Sequence, residues 1–198
     1  MLQDLLSLSP EIYLTSLILI VLMVDIISPN ISYHVSLFGL LPVFFLVSNQ
    51  FAASSSPVYA FSDSFVLDSL GQVSKIILSI GAFFVFLFSR TYLRGTKVIQ
   101  GEYYSLMLSS LLGMFLLVSS NDLMIFFLGL ELMTLPVFGL VGIKIHQVRR
   151  SEAAIKYLVL GALSTGIFLM GVAFAYGASG SLDISDVRNT LAAGESTY

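Results

Sequence analysis

The chain has 198 residues, of which 57% are hydrophobic and only 11% charged, with a mean hydropathy of +0.94; ordinary soluble domains carry roughly 25% charged residues. That composition excludes a soluble globular domain. A net charge of −3 and the lack of cysteine give no support to nucleic-acid binding and exclude disulfides, thiolate zinc sites and cysteine-held iron–sulfur clusters within the chain.

A bilayer core of about 30 Å requires roughly 20 apolar residues per helix. Six stretches meet or approach that need, near residues 11–28, 32–49, 71–89, 103–120, 122–142 and 153–177. Asp4 and Glu11 occupy the place of a basic leader region, so the first apolar run is expected to stay as a span. Between the second and third spans, QFAASSSPVYAFSDSFVLD is Ser-rich and then Val-, Tyr- and Phe-rich between turn residues, which predicts a loop or short hairpin. The tail SLDISDVRNTLAAGESTY is amphipathic and more polar, and predicts the start of an interfacial helix.

Arg90, Arg94 and Lys97 follow the third span, and Lys144, Arg149 and Arg150 follow the fifth. Alternation puts both basic links on one side, which the positive-inside rule makes cytoplasmic, with the N-terminus, the 50–70 loop, Asn121-Asp122 and the tail outside. His34 and His146 are far apart and near loops, which argues against a metal site.

The segment FLGLELMTLPVFGL (127–140) holds the one charge between Asp122 and Lys144. Glu131 lies roughly 13 Å from one end of its span and 19 Å from the other, too deep to reach water along its own side chain. Inserting an ionised carboxylate there costs about 2.5–3.5 kcal/mol or more, met by a raised pKa or a partner. The residues leave two readings, a proton carrier or a permanently paired structural acid. Pro136 lacks an N–H and frees the carbonyl of Leu132, which suggests polar surroundings, although proline is also tolerated in membrane helices for packing. Lys156 is roughly 9 Å into the sixth span and could snorkel, work as a proton site, or pair with Glu152 four residues earlier. Glu11 and Asp25, near the ends of the first span, read as interfacial. Gly161, Ala162, Ser164, Gly166 and Gly171 predict close helix contacts and a buried sixth span.

FLGLELMTLPVFGLVG, followed after a basic loop by SEAAIKYLVLGALSTGIFLMGVAFAYGASGSL, resembles the N-terminal part of subunit N of proton-translocating NADH–quinone oxidoreductase, respiratory complex I, the counterpart of mitochondrial subunit 2. FSDSFVLDSLGQVSKIILSI resembles the same family's link into its third span. The family is related to membrane subunits of multi-subunit cation/proton antiporters and energy-converting hydrogenases.

The resemblance implies an all-α antiporter-like membrane fold with about fourteen spans and inverted repeats at full length. Residues 1–102 would be the first three spans, 103–177 the start of the first repeat, and 178–198 a polar tail. Glu131 would match the family's acid and Lys156 its lysine on the sixth span, both proton-relay residues. The acid's main partner, a lysine on a seventh span, falls past Tyr198, which points to a fragment or one half of a split subunit. No cofactor is expected in this chain; flavin and iron–sulfur clusters would sit in partner subunits. The implied partners are other membrane-arm subunits, lipid and protons, in a bacterial inner membrane. A membrane subunit of an antiporter or hydrogenase, and a non-catalytic packing or assembly module, stand as alternatives.

Overall fold

A computed structural model of the protein describes residues 2–53, 56–94, 100–143 and 148–193. A short helix α1 (Leu2–Ser7) leads into α2 (Ser9–Ile27), whose first turn carries Pro10, where a missing N–H costs nothing. α2 ends because the residue before a proline is pushed out of the helical region: Ser28 is extended (φ −156°, ψ 94°), and Pro29 opens α3 (Pro29–Ala53). The Ser-rich link folds into an antiparallel hairpin, β1 (Val58–Ala60) with β2 (Phe65–Leu67), so the hairpin alternative holds. α4 (Ser69–Arg94) then starts on an Asp68 cap that accepts from Gly71 N–H at 2.8 Å.

α5 (Gln100–Val118) and α6 (Leu123–Gly142) are joined by a tight link, and Asp122 caps α6 by accepting from the N–H groups of Met124 and Ile125. α7 (Val148–Ser179) is followed by Gly180, whose left-handed backbone (φ 70°) stops the helix. α8 (Ile184–Ala193) completes the described elements. Among the described residues, six helices are long and apolar enough to span a membrane, at Ser9–Ile27, Ile31–Ala52, Ser69–Thr91, Gly101–Val118, Leu123–Gly142 and Glu152–Ser179. These match the six stretches read from hydropathy, and the fold is an all-α integral membrane one.

The core lies among α2, α3, α4 and α5, around Leu14, Val21, Leu40, Val43, Phe86, Leu108 and Phe115. α6 packs on α5 and α7 on α6. Gly113 and Gly129 set the α5–α6 approach: a Cβ on Gly113 would stand 2.3 Å from Met133 N, and one on Gly129 2.7 Å from Leu117 N. The two backbones therefore touch directly beside Glu131.

At one end the hairpin, the α5–α6 link and the α7–α8 link are tied together by backbone bonds. Val66 N–H donates to Ser119 O, Asn121 N–H to Ser64 O, Leu123 N–H to Leu182 O, and Ile184 N–H to Asn121 O. Asn121 Nδ2 adds bonds to Asp63 O and Asp183 Oδ2. Lys97, Lys144 and His146 of the basic links lie outside the described residues, as do the side chains of Arg94, Arg149 and Arg150; Arg90 stacks over the Tyr33 ring at 4.6 Å.

The sixth span departs from expectation. α7 is exposed over most of its length, and a Cβ on Gly166 or Gly171 would meet nothing within 4 Å. Small residues permit a close approach but do not supply the neighbour. Only where α6 lies alongside is the room used: a Cβ on Gly161 would collide with Phe138.

Candidate functional site

Glu131 sits inside α6, roughly 12 Å from the Leu123 end and 16 Å from the Gly142 end at 1.5 Å per residue. Its side chain is partly buried, and its Oε1 accepts a hydrogen bond from Thr165 Oγ1 of α7 at 2.6 Å. The neighbour that answers the buried acid is thus a hydroxyl. No cation is recorded on it among the described residues, and a hydroxyl holds the carboxyl in place without neutralising it.

Pro136 is buried within α6. Its missing N–H predicts an unmet carbonyl one turn earlier, at Leu132, and a donor does reach this turn, one carbonyl further on: Ser110 Oγ of α5 donates to Met133 O at 3.0 Å. Thr134 Oγ1 donates to Leu130 O. The turn below the proline thus collects hydroxyls from two helices.

A cleft of about 240 Å³ runs along the α6–α7 seam, lined by Leu130, Thr134, Phe138, Tyr157, Ser164 and Thr165 among others. Thr165, the donor to Glu131, forms part of its wall.

Lys156 lies elsewhere. Its Nζ bonds Glu152 Oε1 at 2.6 Å, with side-chain exposures of 71% and 59%, so the pairing on one helix face is realised. Lys156 is nine residues from Thr165, about 13 Å along α7, and the structure does not join it to Glu131. Tyr157, the next residue, closes the other end of the cleft.

A pair that the interfacial reading of Glu11 missed is the most buried charge interaction described. Lys75 Nζ of α4 meets Glu11 Oε1 of α2 at 2.5 Å, with side-chain exposures of 0% and 4%. Glu11, at the start of its span, is therefore buried against a base inside the protein. Its signal was present: an acid near the start of the first span and a base near the start of the third are opposite charges at the same end of an alternating bundle. Asp25 is partly buried and ties two helix ends, accepting from Ser32 Oγ at 2.9 Å and from Gly101 N–H at 3.0 Å.

Near the hairpin end, outside the spans, Asp183 accepts from the hydroxyl and N–H of Ser185 at 2.6 and 2.7 Å. The Ser185 hydroxyl bond, aided by the backbone N–H groups of Ser185 and Asp186, holds its carboxyl below the usual carboxylate range against a smaller opposing effect of burial.

The architecture is that of an integral membrane protein with an acid inside one of its spans. Residues 120–198 match the family model described as NADH:quinone oxidoreductase/Mrp antiporter, transmembrane. Relatives named NADH-quinone oxidoreductase subunit N match along nearly the whole chain. The one from Hydrogenovibrio crunogenus is 39% identical over 93% of this chain and 39% of its own length, and that from Pelagibacter ubique is 37% identical over 91% and 39%. Along nearly its whole length the chain is similar to these subunit N relatives, and it spans about two fifths of their length.

Respiratory complex I from Thermus thermophilus with bound aureothin contains a chain similar to this one, with a TM-score of 0.73 and 25% identity over 93% of this chain and 42% of that chain. The membrane-bound sulfane sulfur reductase, an archaeal respiratory membrane complex, shares the fold at a TM-score of 0.80 over 93% of this chain and 39% of that one, at 20% identity.

Proposed function

We propose that this chain works within the membrane arm of a proton-translocating NADH–quinone oxidoreductase, and that Glu131 is its proton-exchanging group. The observation that carries this reading is the mid-span carboxyl of Glu131, held by a neutral hydroxyl at 2.6 Å and set in the turn below Pro136. An acid held in this way can change protonation without breaking an ion pair. Intramembrane acids mark proton relays by default.

Lys156 serves as the second relay group in this proposal. The hydroxyls of Thr134, Tyr157, Ser164 and Thr165 line the cleft between the two levels, and water held among them would bridge the gap. A change of charge at one group shifts its neighbour's protonation balance by about 1.4 kcal/mol per pKa unit, so coupling of a few units suffices to move a proton. Redox energy released in other subunits, where flavin and iron–sulfur clusters reside, would supply that change. Residues 103–177 form the start of the first antiporter-like repeat in this reading. The basic links face the cytoplasm of a bacterial cell, and the hairpin end faces outward.

The decisive experiment places Glu131→Gln in the complete subunit and measures protons translocated per NADH oxidised in proteoliposomes. The ratio is expected to fall; an unchanged ratio with unchanged electron transfer overturns the proposal. A membrane subunit of a cation/proton antiporter is the second reading, favoured by the family model, whose description also names the Mrp antiporter. Co-purification of an NADH-oxidising arm supports the first, and sodium-linked transport without such an arm supports the second.

A further inference from the structure

We propose that Glu11, Lys75 and the polar groups around them form a hydrated proton-exchange site that opens to the hairpin end of the protein, separate from Glu131. Packing alone does not account for the pair. Each buried ion loses several kcal/mol of hydration, and a buried pair is seldom better for stability than an apolar pair of the same volume.

The pair is also incompletely satisfied. Lys75 carries three N–H donors; one meets Glu11 Oε1, and the Phe65 and Phe115 rings face the ammonium at 5.1 and 5.7 Å. Glu11 Oε2, Gln72 Oε1 and Ser119 Oγ are buried and have no hydrogen-bond partner among the described residues. All three belong to the surroundings of Lys75: Glu11 is its ion partner, Gln72 is one turn away on α4, and Ser119, just past the end of α5, follows one turn after Phe115. Bare carboxylate, amide and hydroxyl oxygens together make the kind of polar surroundings that buried water occupies, typically with about three hydrogen bonds each.

The polar groups lead to one side only. Gln72 Nε2 donates to Gln50 Oε1 at 3.5 Å, and Gln50 Nε2 donates to the carbonyls of Leu6 and Ser7 and to Ser9 Oγ at 3.1–3.2 Å. Those acceptors lie at the N-terminal end of α2, on the hairpin side. In the other direction, Ser79 Oγ turns back onto Lys75 O at 2.8 Å, and the next buried α4 side chain of the core is Phe86. Asp68, the nearby acid at the start of α4, is engaged as its cap. The hydrogen-bonded polar groups described around the pair thus continue towards the hairpin end.

The chemical step is a proton shift along the 2.5 Å bond. The proton on Lys75 Nζ passes to Glu11 Oε1, converting ammonium and carboxylate into amine and carboxylic acid with no change in total charge. Either form can then exchange one proton with water at the hairpin face. The site would buffer and present protons there, beside the links that hold α5, α6 and α7 together.

Two measurements test this. Hydroxyl-radical labelling of the assembled, unsubstituted complex reports bound water directly, because radicals formed from it attack adjoining side chains. Phe115 is expected to be modified well above the equally buried Phe86; equal labelling overturns the proposal. The second measurement depends on the proton-translocating reading. The paired substitution Glu11→Leu with Lys75→Met removes both charges together, and a merely structural pair tolerates that. The proton yield per NADH is expected to fall by about half or more; an unchanged yield overturns the proposal. Glu131→Gln run in parallel separates the two failures, since a lowered yield there beside an unchanged yield in the paired variant refutes only the exchange site. If the paired variant does not assemble, the labelling decides alone.

Discussion

Gly113→Ala is expected to part α5 from α6 at the level of Glu131. The added Cβ would lie 2.3 Å from Met133 N, 2.6 Å from Leu132 C and 2.8 Å from Gly129 O, all backbone atoms that cannot rotate away. Ordinary contact begins near 3.4 Å, so the helices must separate by about 1 Å. Overpacking of this kind costs about 1–3 kcal/mol. Replacing a mid-helix glycine by alanine returns about 0.5–1 kcal/mol, which leaves a net loss of up to about 2.5 kcal/mol and near 1 kcal/mol at the middle of these ranges, or a factor of about 8 in the docked population. An SDS titration in micelles, followed through a spin-label pair across α5 and α6, reads this loss. Gly39→Ala is the control: its Cβ would stand 2.4 Å from Leu17 Cδ1, the movable end of a side chain, so a loss below about 1.5 kcal/mol is expected. The reasoning is refuted if Gly113→Ala is as stable as the parent, or if Gly39→Ala loses more.

Thr165→Val keeps the shape of the cleft wall but removes the donor to Glu131 Oε1, and proton yield per NADH should drop while Thr165→Ser keeps most of it. Ser110→Ala leaves Met133 O without its side-chain donor; a loss of about 1–3 kcal/mol is expected, read by the same titration. Asp183→Ala removes the acceptor for Ser185 at the start of α8, and hydrogen exchange at Ser185 should quicken about fivefold for a cap worth about 1 kcal/mol. Because the Asp183 carboxyl is held below its usual range in the fold, its contribution is present in full above the unfolded value of about 3.9 and disappears as pH falls through the lower folded value. Exchange at α8 in the parent should therefore accelerate only in strong acid, whereas in Asp183→Ala it should lack that step.

Hydropathy exposed the membrane architecture because each span repeats one decision, apolar length against bilayer thickness. The span ends were legible for local reasons: Pro29 sets the extended Ser28, and Asp122 caps α6. Glu131 stood out in the same way, as a lone charge in a long apolar run. Its partner did not, since a threonine on a different helix carries no signal in a one-dimensional reading. The partner of Glu11 was missed because each charge was judged against its own helix, which placed it at an end. Whether an end residue meets water or a base on a neighbouring helix is decided by packing. The predicted burial of the sixth span failed for a related reason, since glycine at Gly166 and Gly171 states what a helix could accommodate and not what lies beside it.

The chain handles its two intramembrane acids in opposite ways, and the contrast carries a functional consequence. Glu11 meets a full positive charge with no solvent exposure, so removing either partner alone strands the other and should cost about 3–5 kcal/mol. Glu131 meets a hydroxyl and is only partly buried, next to a largely apolar cleft whose wall includes that hydroxyl's Thr165, so changing its charge breaks no ion pair. An acid that must alternate between protonated and ionised forms is better served by the second arrangement, because a neutral donor stabilises the ion without requiring it. In the proposed exchange site Glu11 changes protonation in concert with Lys75, the proton first moving inside the pair. That asymmetry predicts an order of tolerance: on the proposed function Glu131→Gln should fold and lose proton yield, whereas Glu11→Gln alone should chiefly lower the stability of the core formed by α2, α3, α4 and α5.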